Sequence, residues 1–126
     1  MSIYAQKKPT INIWLDDKID EKDIQEICYG IEEEGIPFSV AYKSSNHNAV
    51  TLSYQAALES DLLVGIGGTA TEFVLHYKHL PTERFLYRLN RKQETTPREL
   101  RILGSNAAKL VKGEPFIVSS VFEKSF

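Results

Sequence analysis

The sequence predicts a three-layer α/β/α domain with a mixed, mostly parallel sheet of about five strands, and three observations carry that expectation. Short runs of β-branched and aromatic residues alternate with stretches whose apolar residues recur at helical spacing. The first units read β-α-β-α-β, which implies parallel strands, right-handed crossovers and helices on both faces of the sheet. The last strands are joined by connections too short for a crossover, so one of them is expected to run antiparallel. At 126 residues and 42% hydrophobic, the chain has the size of a single domain spanning 1–126, burying roughly two thirds of its unfolded surface.

TINIWL, Thr10 to Leu15, alternates Ile11, Ile13 and Leu15 against Asn12 and Trp14 and reads as the first strand. A helix follows, capped by Asp20. Its stripe is Ile24, Ile27, Cys28 and Ile31, and Gly35 supplies a left-handed stop. IPFSVAY is the second strand. After the loop KSSNHN, AVTLSYQAALES forms a helix with Val50, Tyr54, Ala57 and Leu58 on one face, and DLLVGIGG is a buried strand. TEFVLHY is short and rich in β-branched and aromatic residues, which favours a strand over two helical turns. RFLYRL makes a fifth, with Phe85, Tyr87 and Leu89 on one side and Arg84 and Arg88 on the other. Beyond the polar connection RKQETT, Thr96-Pro97-Arg98-Glu99 is a capping box with proline at the first helical position. Leu100, Leu103, Ala107, Leu110 and Val111 sustain that helix to Gly113. The tail IVSSVFEKSF is expected as a short edge strand or disordered.

Composition removes several classes of function. Apolar runs such as LLVGIGG fall far short of the roughly 20 residues that cross a bilayer, and MSIYAQKKPT lacks an apolar stretch of signal-peptide length, so a cytoplasmic chain without membrane contact is expected. The single cysteine, Cys28, permits neither an internal disulfide nor a cysteine-rich zinc site. Formal net charge is only −2, which argues against a nucleic-acid partner despite the basic, aromatic RFLYRLNRK. The charge is unevenly spread: Asp16 to Glu34 is strongly acidic and Arg84 to Arg101 mostly basic, as expected of solvated faces of opposite sign or, less often, a docking surface.

Few stretches could carry chemistry. GIGGTA, Gly65 to Ala70, fits a loose dinucleotide pattern, but it follows the third strand and precedes another strand, so no helix N-terminus would face a pyrophosphate. Glycines that permit a tight turn or a close neighbouring chain are the better reading. His47 lies in a polar loop; His76 and His79, on a strand, would face opposite sides and share no ion, leaving surface or partner contacts. No G-x-S-x-G elbow occurs, so nucleophilic catalysis has no anchor. GIEEEGIPF is the anomaly. It puts Glu32, Glu33 and Glu34 at a helix C-terminus, where the macrodipole is already negative and each carboxylate costs roughly 0.3–1 kcal/mol before screening. On the helical wheel Glu32 and Glu34 lie on the flanks and Glu33 points outward. Such an end is either simply solvated or offers oxygen ligands to a hard cation, or to basic groups, on another protein.

GIEEEGIPF, LLVGIG, VLHYKHLP and GSNAAKLVKGEPF resemble, in the same order, the small subunit of the reactivating factors for adenosylcobalamin-dependent diol and glycerol dehydratases, from roughly Ile11 to Phe116. Related motifs occur in the medium subunit of the dehydratases, whose domain is similar. HYKHLP and a start close to the first strand favour the reactivase form, whereas GIGGTATEF leans toward the dehydratase. The resemblance implies a non-catalytic chain whose partner is a large, chaperone-like ATPase subunit, in a heterotetramer of two large and two small subunits. ATP or ADP would sit on the large subunit. The complex would exchange small subunit for dehydratase subunit and free damaged cobalamin from the inactivated enzyme. It further implies that Glu33 completes a Mg²⁺ or Ca²⁺ site on the large subunit, with no cofactor bound by this chain alone and the acids' counter-charge on the partner. Glu32 and Glu34, with Ser105, Asn106 and Lys109 as a polar face of the last helix, are expected at the interface. The client, glycerol or diol dehydratase, stays open, as does association with a bacterial microcompartment. The alternatives are a medium-subunit-like component of a cobalamin-dependent dehydratase and a free-standing nucleotide-binding module.

Overall fold

The computed structural model describes residues 8–44, 47–91 and 95–126. The first seven residues, the middle of the KSSNHN loop and half of the RKQETT connection lie outside the described residues. The elements run β1 (Ile11–Asp16), α1 (Gln25–Glu33), β2 (Phe38–Lys43), α2 (Ala49–Leu58), β3 (Val64–Gly68), β4 (Glu72–Tyr77), β5 (Tyr87–Asn90) and α3 (Pro97–Lys112). One sheet in the order β2-β1-β3-β4-β5 contains all five strands, and β4 alone among them opposes its neighbours. The predicted three layers form, with α1 and α3 on one face and α2 on the other.

The main core lies under α1 and α3, where Ile11, Ile13, Leu15, Ile66, Phe73, Leu75 and Leu89 meet Ile27, Ile31, Leu103 and Ala107. The two helices touch backbone to backbone. A Cβ on Gly30 would lie 2.0 Å from the Arg101 carbonyl oxygen, and one on Gly104 would lie 2.0 Å from that of Ile27. Asp20 caps a short 3₁₀ turn, Glu21–Asp23, that leads into α1, and Gly35 ends the helix at φ +77.

Three local expectations change. The buried face of α2 is Ala49, Leu52, Ser53, Ala56 and Ala57, while Leu58 is exposed and Val50 and Tyr54 are half-buried. The helix lies so near β3 that only small side chains fit: Cβ atoms on Gly65 and Gly67 would come within 2.3–2.5 Å of α2 backbone. Phe85 leaves the side of Tyr87 and Leu89, because β5 begins only at Tyr87; it packs instead with Ala49 and Val74 on the α2 face. At α3, Thr96 is the N-cap and Pro97 the first helical residue, but the capping box does not close. The Thr96 side chain makes no cap bond, and Glu99 Oε2 is buried without a hydrogen-bond partner. The tail is ordered: Phe116 and Phe122 pack on Tyr87, and Glu123 bridges to Arg88.

Replacing Gly104 by Ala is expected to lower stability by about 1–3 kcal/mol, the usual range for overpacking a tight contact. Urea titration would read this as a lower midpoint at unchanged slope. Gly113→Ala, with open space around its Cβ, serves as a control that reports left-handed backbone strain alone.

Candidate functional site

The acidic end of α1 gathers the charges that the sequence keeps far apart. Arg101 of α3 reaches across to α1 with its Nε 3.1 Å and its Nη2 2.6 Å from Glu26 Oε1, and the same Nε stands 3.5 Å from Glu33 Oε1. Lys112 donates at 2.6 Å to Glu34 Oε1 and at 3.2 Å to the Glu34 carbonyl oxygen; Lys109 stands 3.5 Å from Glu34 Oε2. The cation missing from the last turn of α1 is therefore supplied by α3, where it offsets both the carboxylate and the negative helix end. This corrects the expectation that the acids' counter-charge lies wholly on a partner. The acidic and basic segments are likewise not two separate solvated faces, since Arg91 also pairs with Asp23 at 3.0 Å.

The three glutamates differ in how firmly they are held. Glu34 is shielded, its side chain 18% exposed, and the hydrogen bond from Lys112 keeps its pKa below the ordinary carboxylate value, with Lys109 adding to the effect and burial opposing it. Glu33 is 55% exposed and, among the described residues, has only the long Arg101 contact. Glu32 makes no ion pair among the described residues; with burial as the larger cause, its charge helps push the Cys28 thiol up to about 11, so the thiol stays protonated at neutral pH.

Ser105 and Asn106 do not form the exposed polar face assigned to them. Both are buried. Ser105 Oγ donates to the Gly30 carbonyl at 3.3 Å, inside the helix crossing. Asn106 holds the start of the tail, donating to Ile117 O at 2.9 Å and accepting from Ile117 N–H at 2.7 Å. Lys109 is as shielded as Glu34, lying beside Glu34 and Glu114.

His76 is not a surface residue. It is fully buried on the α2 side of β4, where Nδ1 accepts from Tyr77 N–H at 2.9 Å, leaving Nε2 to donate to Thr82 O at 2.8 Å. His79 is exposed and does not join it. Within GIGGTA, Gly65 and Gly67 face α2 backbone, as a close neighbouring chain requires, and the chain turns directly into β4. Among the described residues no cluster of three or more His, Cys, Asp or Glu side chains is arranged to hold a metal.

The family described as dehydratase medium subunit matches residues 8–117. The chain belongs to that family. It is 46% identical over 91 residues to the propanediol dehydratase-reactivating factor small subunit of Citrobacter freundii, covering 72% of this chain and 76% of the relative. It is 44% identical over 92 residues to the diol dehydratase-reactivating factor small subunit of Klebsiella michiganensis, covering 73% of this chain and 71% of the relative. Among solved structures, a chain of the diol dehydratase-reactivating factor complexed with ADP and Mg²⁺ superposes with a TM-score of 0.81 at 38% identity, over 89% of this chain and 100% of that one. A glycerol dehydratase reactivase chain gives 0.82 at 31% identity, over 88% and 98%. The family and fold expected from the sequence are thus the ones found.

Two outcomes follow from the bonding. Asn106→Ala removes both side-chain bonds to Ile117 and is expected to cost about 1–3 kcal/mol, with a lower melting temperature for the chain alone. Glu34→Gln should change the pH dependence. Because the folded pKa of Glu34 lies below its unfolded value, its contribution is fully present above the ordinary glutamate pKa and is lost as pH falls through the lowered one. Chemical denaturation from pH 7 downward should therefore show the wild type and the variant converging in acid.

Proposed function

We propose that this chain is the non-catalytic small subunit of a chaperone-like, ATP-dependent factor that reactivates diol or glycerol dehydratase. The observation that carries the reading is the relatedness to reactivating-factor small subunits over nearly three quarters of the chain, joined to a shared fold. In this reading the partner is a large ATPase subunit that holds the nucleotide, in a heterotetramer of two large and two small chains. Exchange of the small subunit for a dehydratase subunit opens the inactivated enzyme and frees damaged cobalamin. The chain itself binds no cofactor alone, and its setting is the cytoplasm or a bacterial microcompartment.

Glu33 is the residue to which the reading assigns a ligand role toward Mg²⁺ or Ca²⁺ on the large subunit. A carboxylate oxygen suits a hard cation, and the exposed end of α1 presents it. Glu32 and Lys109 flank it as contact residues; Glu34 supports the helix end through its lysines. Ser105 and Asn106 act through the fold and not by contact. The large subunit, co-expressed and assayed at saturating Mg²⁺, should bind Glu33→Gln about tenfold or more weakly than wild type, a loss of about 1.4 kcal/mol or more. Unchanged affinity would remove the metal-bridging role.

The family description itself favours a second reading, a medium-subunit-like component of the dehydratase. Co-purification of a corrinoid with dehydratase subunits, in place of a large ATPase subunit, would establish it.

A further inference from the structure

The two edges of the sheet are finished differently. At β5 the tail closes the edge, with Arg88 N–H donating to Glu123 O at 2.8 Å and Glu123 N–H to Arg88 O at 2.9 Å. At the other end of the sheet β2 has β1 on one side and, among the described residues, no strand on the other. The parallel ladder opens with Ile11 N–H donating to Pro37 O at 3.0 Å. By the alternation of such ladders, Ser39, Ala41 and Lys43 bond to β1, while Phe38, Val40 and Tyr42 direct their N–H and C=O groups outward.

The same three residues carry side chains on the α1 side of the sheet, at the margin of what α1 covers. Val40 is 37% and Tyr42 42% exposed, with Tyr29 of α1 at 38%. A shallow groove of about 340 Å³ runs here between α1 and β2, with Ile24, Cys28, Tyr29 and Val40 as its apolar lining. An open, aromatic edge of this kind is normally blunted in a chain that works alone.

We propose that β2 is a strand-addition site for an extended segment of the larger partner subunit. The segment is basic, alternates apolar side chains, pairs with Phe38, Val40 and Tyr42, and lays its apolar residues in the groove beside Tyr29. This rests on the reading of the chain as one subunit of a two-subunit factor. Charge selects the occupant. Burial first, and then the charges of Glu21, Asp20 and Asp23, raise the Tyr42 pKa, so the Tyr42 end of β2 is the acidic one; at the Phe38 end Glu33 and Glu34 are paired with Arg101, Lys109 and Lys112. Lys22 lines the groove and the Arg101 guanidinium stands 5.9 Å from the Tyr29 ring, while the Lys43 ammonium lies on the opposite face, over Trp14 at 4.1 Å. A second copy of this chain paired in the parallel direction would bring acid against acid at the Tyr42 end; a basic segment meets complementary charge there.

Amide exchange reads the proposal without any substitution. In the free chain the amides of Phe38, Val40 and Tyr42 should exchange fast and those of Ser39, Ala41 and Lys43 slowly. In the complex with the large subunit the first set should slow by about tenfold or more. Binding of the large subunit with those three amides still fast would overturn the strand-addition site while leaving the subunit reading intact. Failure of the large subunit to bind the wild-type chain at all would overturn that reading and the proposal with it. Slow exchange of the three amides in the chain alone at high concentration would overturn the choice of occupant in favour of a second copy. Val40→Pro removes an outward N–H that serves no bond to β1, and Val40→Lys keeps the donor but places a charge on the edge; both should weaken the complex about tenfold or more at a melting temperature close to wild type. Unchanged affinity in a folded Val40→Pro chain would overturn the pairing.

Discussion

Where Gly30 meets Arg101 and Gly104 meets Ile27, two helices touch without a side chain between them, and the geometry of the acidic end follows from that contact. Helices separated by ordinary side chains keep their axes 8–10 Å apart. Closer approach here brings the Arg101 guanidinium onto both Glu26 and Glu33 and the Lys112 ammonium onto the Glu34 carboxylate and carbonyl. It also dictates Ser105, the one polar residue small enough to enter the crossing and bond the Gly30 carbonyl. The fold and the site are therefore one arrangement: a bulkier residue at either glycine would push α3 outward and strand the acids at a helix end that repels them.

The other face of the sheet uses the same device to a different end. Gly65 and Gly67 admit the backbone of α2, which then covers β3, β4 and part of β1 with alanine and serine. A single helix seated so deeply cannot also cover β2. On that side β1 carries Asn12, Trp14 and Asp16 and β2 carries Ser39, Ala41 and Lys43, with Asn12 satisfied by the Ala56 carbonyl and Trp14 under the Lys43 ammonium. The closeness of α2 to β3 and the openness of β2 have a common cause in where the glycines stand.

Element order and fold class were legible because each segment's period agreed with its final state, even for TEFVLHY, where strand propensity prevailed over the length that helical turns would need. The face of α2 was not. Hydrophobicity ranks Tyr54 and Leu58 above Ala49, Ser53 and Ala56, but the space opposite Gly65 and Gly67 admits only the smaller set. Polarity misled at Ser105, Asn106 and His76 for a related reason: each is buried with its hydrogen bonds made by backbone groups that no linear pattern announces. The wheel did place Glu33 outward. It could not show Arg101 or Lys112 as partners, since those contacts join residues 75 and 78 positions apart.

The ion pairs also rank the acids by how readily each could be transferred to another protein. Glu34 is tied to two lysines, one of which also bonds its carbonyl at the helix end, so withdrawing its carboxylate would leave shielded cations without a partner, a costly exchange. Among the described residues Glu33 has one ion pair, at 3.5 Å between half-exposed side chains, the class of pair that contributes about 0–1 kcal/mol. Arg101 keeps its two short bonds to Glu26 when Glu33 turns away, so no charge is stranded by the change. A cation or basic group on a partner would compete with a weak contact only. The helix end that looked mis-charged is stabilised by Lys109 and Lys112 of α3, which hold Glu34 and leave Glu33 free to be shared.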